Sequence, residues 1–104
     1  MHESWWLTQS RDSSEIAVGG AIDYSAAPYL LAALQGCVHG TADQLVVDVR
    51  EVSLLRAASL RALDQAQSPA QADGTELRLR LSRRSTAYRV ALVGLSRKWT
   101  FELV

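Results

Sequence analysis

The side chains of this 104-residue chain that could serve as nucleophiles, bases or metal ligands are few and scattered. There are two histidines, His2 and His39, and one cysteine, Cys37. His2 lies in the N-terminal stretch. His39 precedes Gly40 at what reads as a helix end, where an imidazole serves more naturally as a C-terminal cap than as a base. A lone cysteine forms neither an internal disulfide nor a metal cluster. On an apolar helical stretch it behaves as a small hydrophobe, and no histidine–acid pair nearby would activate it. No Ser/His/Asp constellation is suggested, and Gly19-Gly20 lacks the spacing of a dinucleotide fingerprint. No enzymatic activity, cofactor or metal is therefore expected. Two features could bind rather than react. Trp5-Trp6 could stack on a sugar or base, although one ring in the core and the other capping a sheet edge is the commoner use of such a pair. Arg78 and Arg80 could grip a phosphate, but a solvated strand face explains them more simply.

The composition narrows the partners. With 48% hydrophobic and 21% charged residues, the chain reads as one ordinary globular domain over residues 1–104. Eleven basic and eleven acidic side chains cancel, which disfavours nucleic acid and anionic membranes as partners. Ten of the eleven basic residues are arginine, which fits a genomic bias before a functional one. The opening MHESWW lacks the layout of a signal peptide, and no apolar run approaches membrane-spanning length. A cytoplasmic location without membrane insertion is expected, with monomer and homo-oligomer both open.

The elements follow from periodicity. Ser4 to Ser10 reads as a strand, Arg11 to Ser14 as a turn, and Glu15 to Ile22 as the hairpin partner. Gly19-Gly20 within it suggests a bulge or a close backbone approach. Asp23 or Ser25 then caps a helix that admits Pro28 only in its first turn. That helix turns Leu30, Leu31, Leu34 and Val38 inward and ends at His39-Gly40. Leu45 to Val49 is a β-branched run buried on both faces. The chain crosses Arg50 and Glu51, meets Val52, Leu54 and Leu55, and takes up helical spacing at Ala57, Leu60 and Leu63. This strand, short loop and helix form a βα unit whose loop lies at the carboxyl end of a strand, where α/β proteins usually bind. Ser68-Pro69 stops that helix. Glu76 to Leu81 alternates as a strand with one wet or shared face. Ser85 or Thr86 caps a third helix packing Tyr88, Ala91, Leu92 and Leu95, with Gly94 near its end. Lys98 to Val104 is a last extended piece anchored by Trp99 and Phe101.

The stretch GGAIDYSAAPYLLAAL, followed by LVVDVREVSLLRAASLRALDQA, resembles the STAS domain family, the fold of bacterial anti-sigma factor antagonists. That family reads G-x-L-D, a small-residue turn, proline and leucine, then L-V-V-D-L-S-x-V-x-F-L-D-S-S-G-L. The later segments GTELRL and GLSRKWTFEL fall where the family has comparable ones, and the spacing from Asp48 through Val52 and Leu55 to Leu60 needs no gap. The resemblance implies an α/β fold with a mixed sheet of four to five strands and three or more helices, in the order β-β-α-β-α-β-α and a final strand. It also implies a working loop at the start of the second helix, where a serine is phosphorylated by a partner that is both anti-sigma factor and serine kinase. Here Arg56 stands for the family's aspartate, Ala57 and Ala58 for its two serines, and Ser59 for its glycine. Asp23 keeps the earlier aspartate, with Ala21 in place of the acidic residue that often precedes it.

Three expectations follow from that departure. In the first, the domain binds its partner constitutively through Arg56, Ala57, Ala58, Ser59 and Arg61, flanked by Asp23, Tyr24 and Ser25. In the second, phosphorylation moves to Ser59, one step and about 100° around the helix. In the third, the same surface clamps the ATPase of a lipid-trafficking ABC transporter, of which the family supplies small cytoplasmic subunits.

Overall fold

The runs with strand-like spacing are strands in the computed structural model of the chain. It describes residues 5–12, 14–22, 25–38, 43–55, 57–65, 74–84 and 99–104. The elements are β1 (Trp5–Gln9), β2 (Glu15–Ile22), α1 (Ala27–Val38), β3 (Gln44–Leu55), α2 (Ala57–Gln65), β4 (Glu76–Leu81) and β5 (Thr100–Leu103). The strands form one mixed sheet in the order β1-β2-β3-β4-β5. β1 is antiparallel to β2, and every later neighbour is parallel. This is an α/β fold with two helices among the described residues. The expected third helix, between Thr86 and Gly94, lies outside them, as do His39-Gly40 and Ser68-Pro69.

Asp12 organises the β1–β2 turn. Its carboxylate accepts from the Ser10 and Ser14 hydroxyls at 2.9 and 2.6 Å and from the Ser14 amide at 3.1 Å. The Ser10 amide then donates to the Glu15 carbonyl at 2.9 Å and closes the hairpin.

Cross-strand register sorts the sheet into two chemically different faces, because side chains alternate with a period of two. One face pairs Ile16 with Val47, Leu45 with Leu77, Val47 with Leu79, and Leu79 with Phe101. These side chains join Leu30, Leu34 and Cys37 of α1 and Ala62 and Leu63 of α2 in one buried cluster. Both helices therefore cover the same face, as right-handed crossovers between parallel strands stepping in one direction require. The other face carries a row of alternating charge, Asp48, Arg80 and Glu102, across three neighbouring strands.

The sequence expectation of a short loop near Arg50 is corrected here. β3 does not stop at Val49 but runs unbroken to Leu55, and only Arg56, outside the described residues, separates it from α2. Two register shifts explain why strict alternation fails. Between Ala17 and Gly19 on β2, β3 advances from Asp48 to Glu51, and between Gly20 and Ala21 it advances from Val52 to Leu54. Each shift adds one residue to β3, so Val49 and Val52 are both buried although three apart. The Asp48 carboxylate accepts the Arg50 amide at 3.0 Å, supplying a partner at the first bulge.

Gly19 and Gly20 answer different demands. A Cβ at Gly19 would collide with the Trp6 indole, its cross-strand partner. Gly20 has φ 83°, in the left-handed region that glycine enters without strain, at the second register shift. Trp6 lies partly exposed over this glycine, whereas Trp5 packs against the core and against Tyr29, ring centroids 5.5 Å apart.

Candidate partner-binding surface

The geometry of the surface begins with one pair of residues. β2 and β3 are parallel neighbours, and their last residues, Ile22 and Leu55, lie opposite each other. The connections to α1 and α2 therefore leave the sheet side by side, at the carboxyl ends of the strands. β4 pairs with β3 only as far as Asp48 and Arg80, so the part of β3 leading into α2 runs past the end of β4. The two bulges bend and twist this projecting segment.

Ser25 is exposed in the turn ahead of α1. The Leu30 amide donates to the Ala26 carbonyl at 3.0 Å, the first backbone bond of the helix; Asp23, one of the two expected caps, lies outside the described residues. Ala26 is buried against the core. Pro28 falls in the first turn, where its missing N–H costs nothing.

Ala57, Ala58 and Ser59 form the first turn of α2, a turn with no acidic side chain to offset the partial positive charge of the helix start. Arg61 is exposed on the next turn. Ala62 and Leu63 anchor the helix in the core. A second tether comes from the far edge of the sheet. Trp99, itself buried, donates its indole N–H to the Leu63 carbonyl at 3.2 Å. Asp23, Tyr24 and Arg56 lie outside the described residues. Of the expected contact residues, Ser25, Ala57, Ala58, Ser59 and Arg61 are thus gathered at one end of the sheet, on two helix starts.

Sequence reasoning missed the charge network on the outer sheet face. Arg80, expected to be solvated, bonds Glu15 at 2.5 Å and Glu102 at 3.2 Å and reaches Asp48 at 3.5 Å. Asp48 is also clamped by Arg50, whose guanidinium donates to both carboxylate oxygens at 2.8 to 3.1 Å. Burial pushes the Asp48 carboxyl upward, but the Arg50 hydrogen bonds and the charges of Arg50 and Arg80 outweigh it and hold the group below its usual range. A single aspartate inside the apolar run of β3 was the available signal. Tyr29, 65% exposed beside Trp5, was also missed.

Cys37 is buried within the core, and no three His, Cys, Asp or Glu residues come together as metal ligands among the described residues. None of the described helices is long and apolar enough to cross a membrane.

A family described as "Mlab, STAS domain" matches residues 6–104, nearly the whole chain. The chain belongs to the STAS domain family. No curated protein matches it. STAS domains generally mediate protein–protein interactions, and in this one the start of α2 stands at the carboxyl end of β3, beside the turn that leads into α1.

Proposed function

We propose that this STAS domain is a non-enzymatic, cytoplasmic protein-interaction module that binds an anti-sigma factor or serine kinase without a phosphorylation switch. The observation that carries the reading is the pairing of Ile22 with Leu55, which sets the residues around Ser25 beside the first turn of α2. Ala57 and Ala58 occupy the positions of the family's serines. An alanine has no hydroxyl to accept phosphate, so these positions stay small and uncharged and permit close approach of a partner backbone. Arg61, with Arg56, supplies a charged rim for an acidic patch on the partner, giving a small apolar centre inside a polar border.

A switch moved to Ser59 is less well supported by helix geometry. Position 59 lies three and four residues before Ala62 and Leu63, both buried, and so falls on their side of the helix register. Position 57 lies four residues before exposed Arg61, and position 58 lies at the boundary, three residues before Arg61 and four before buried Ala62.

A second reading keeps the surface and changes the partner to the ATPase of a lipid-trafficking ABC transporter. In its favour, the STAS family to which the chain belongs also supplies such transporter subunits, as the sequence resemblance implies.

The test is affinity capture from the native cytoplasm, with bound proteins identified by mass spectrometry and the bait weighed intact. The proposal expects an anti-sigma factor or serine kinase and a bait carrying no phosphate. Phosphate on Ser59 would restore a switch, and recovery of an ABC ATPase would install the second reading. Ala58→Glu should weaken capture on the order of 100-fold by burying an unpaired carboxylate at the contact, with the thermal midpoint unchanged. Undiminished capture would move the interface elsewhere.

A further inference from the structure

β5 ties together two parts of the molecule that lie on opposite faces of the sheet. It is four residues long, stands last in the strand order, and pairs with β4 from Thr100 to Leu103. The Val104 amide extends that pairing by donating to the Leu81 carbonyl at 2.9 Å. On the face covered by the helices, Phe101 and Leu103 pack partly buried against the core. On the outer face, Glu102 accepts the Arg80 Nε–H at 3.2 Å, and the same guanidinium is shared with Glu15 and Asp48. The charge network is thus the outer fastening of this strand.

Trp99, the residue before β5, supplies a fastening in the opposite direction. Its side chain is buried and donates the indole N–H to the Leu63 carbonyl of α2 at 3.2 Å. The acceptor is main chain, so the bond holds the helix itself and not one of its side chains. Trp99 and Thr100 are joined by one peptide bond, so Thr100 cannot move far from β4 without drawing the indole off its acceptor. A short strand with few hydrogen bonds opens locally at a free energy below that of the whole domain. α2, at 9 residues, is too short to hold as a helix by itself. Its anchors among the described residues are Ala62, Leu63 and the Trp99 bond.

We propose that β5 and Trp99 form a latch on α2: β5 opens as one unit, and α2 loses its fixed position in the same event. The closed and open positions of β5 are the two states between which a ligand can discriminate. For its functional consequence the latch rests on the surface proposed above. A partner seated on the first turn of α2 binds the closed state better and so holds β5 shut. Reciprocity then requires that whatever loosens β5 weakens that partner. The charge network and α2 lie on opposite faces of the sheet, so Glu102 acts on the site without touching the partner.

Native-state hydrogen exchange of the chain alone, read by NMR at low urea concentrations, tests the latch. In the unmodified chain, the β5 amides bonded to β4, with that of Val104, and the α2 amides from Arg61 to Gln65 should share one opening equilibrium and one urea dependence. That opening should be more frequent than the opening of β2 and β3. Glu102→Gln, at a partly exposed position, should raise exchange of both groups about threefold, the size of a partly exposed ion pair. Trp99→Phe should separate the two groups, with α2 opening more often than β5. In that background Glu102→Gln should still speed β5 and leave α2 unchanged. Distinct opening equilibria for β5 and α2 in the unmodified chain, or an α2 response to Glu102→Gln that survives Trp99→Phe, would overturn the latch. Capture unaffected by Ala58→Glu would instead remove the proposed surface and leave the shared opening standing.

Discussion

Gly19 carries a constraint out of proportion to its size, because the sheet offers no room between its backbone and the Trp6 indole. Gly19→Ala should destabilise the domain by about 1–2 kcal/mol, the range expected for overpacking when a partly exposed ring can swing aside. The same substitution in a Trp6→Ala background should cost far less, and a urea-melt double-mutant cycle reads the difference. Asp48 gives the pH dependence. Its folded-state carboxyl lies below the usual range, so its contribution to stability is present above the unfolded carboxylate value of about 3.9 and is lost as pH falls through the folded value. Thermal midpoints should be flat near neutrality and fall below about pH 4. Asp48→Asn should lower the neutral midpoint by a few degrees, equivalent to about 1 kcal/mol, and flatten the acid limb. An unchanged acid limb would assign the loss to other carboxylates.

At the scale of elements, β3 and α2 show what the sequence could reveal. The β-branched run Leu45 to Val49 and the helical repeat from Ala57 were readable because each has one dominant period. The continuity of β3 through Arg50 and Glu51 was not, because its two added residues are defined only against β2. The same reason hides Arg80. Alternation places it opposite the leucines, but its bonds to Glu15, Asp48 and Glu102 depend on register across four strands. For α2 the decisive tether is equally remote in sequence, since Trp99 reaches the Leu63 carbonyl from the last strand. Trp99→Phe keeps most of the apolar contact and removes the donor. It should cost about 1 kcal/mol in urea melts. Affinity for the captured partner should fall less than with Ala58→Glu, because only the support of the helix is loosened.

For the whole molecule, the element pattern leads to the family, while the summed charge says little about partners. Equal numbers of acids and bases disguise an uneven distribution. The outer sheet face neutralises itself strand by strand, α1 carries no charge, and α2 begins without an acid. Total charge is silent on all three. Raised salt should therefore weaken heterologous binding through Arg61. Binding titrations at low and high ionic strength check this, and an affinity independent of salt would remove Arg61 from the contact. The antiparallel entry of β1 has a practical outcome as well. Because β1 runs against the other four strands, Trp5 and Leu103 both lie at the carboxyl end of the parallel strands. They do so on opposite edges, four strand spacings or about 19 Å apart. A purification tag or fused reporter joined beside Trp5 or Val104 would therefore stand on the flank of the proposed docking end rather than behind it, and a long flexible spacer is the way to keep it clear.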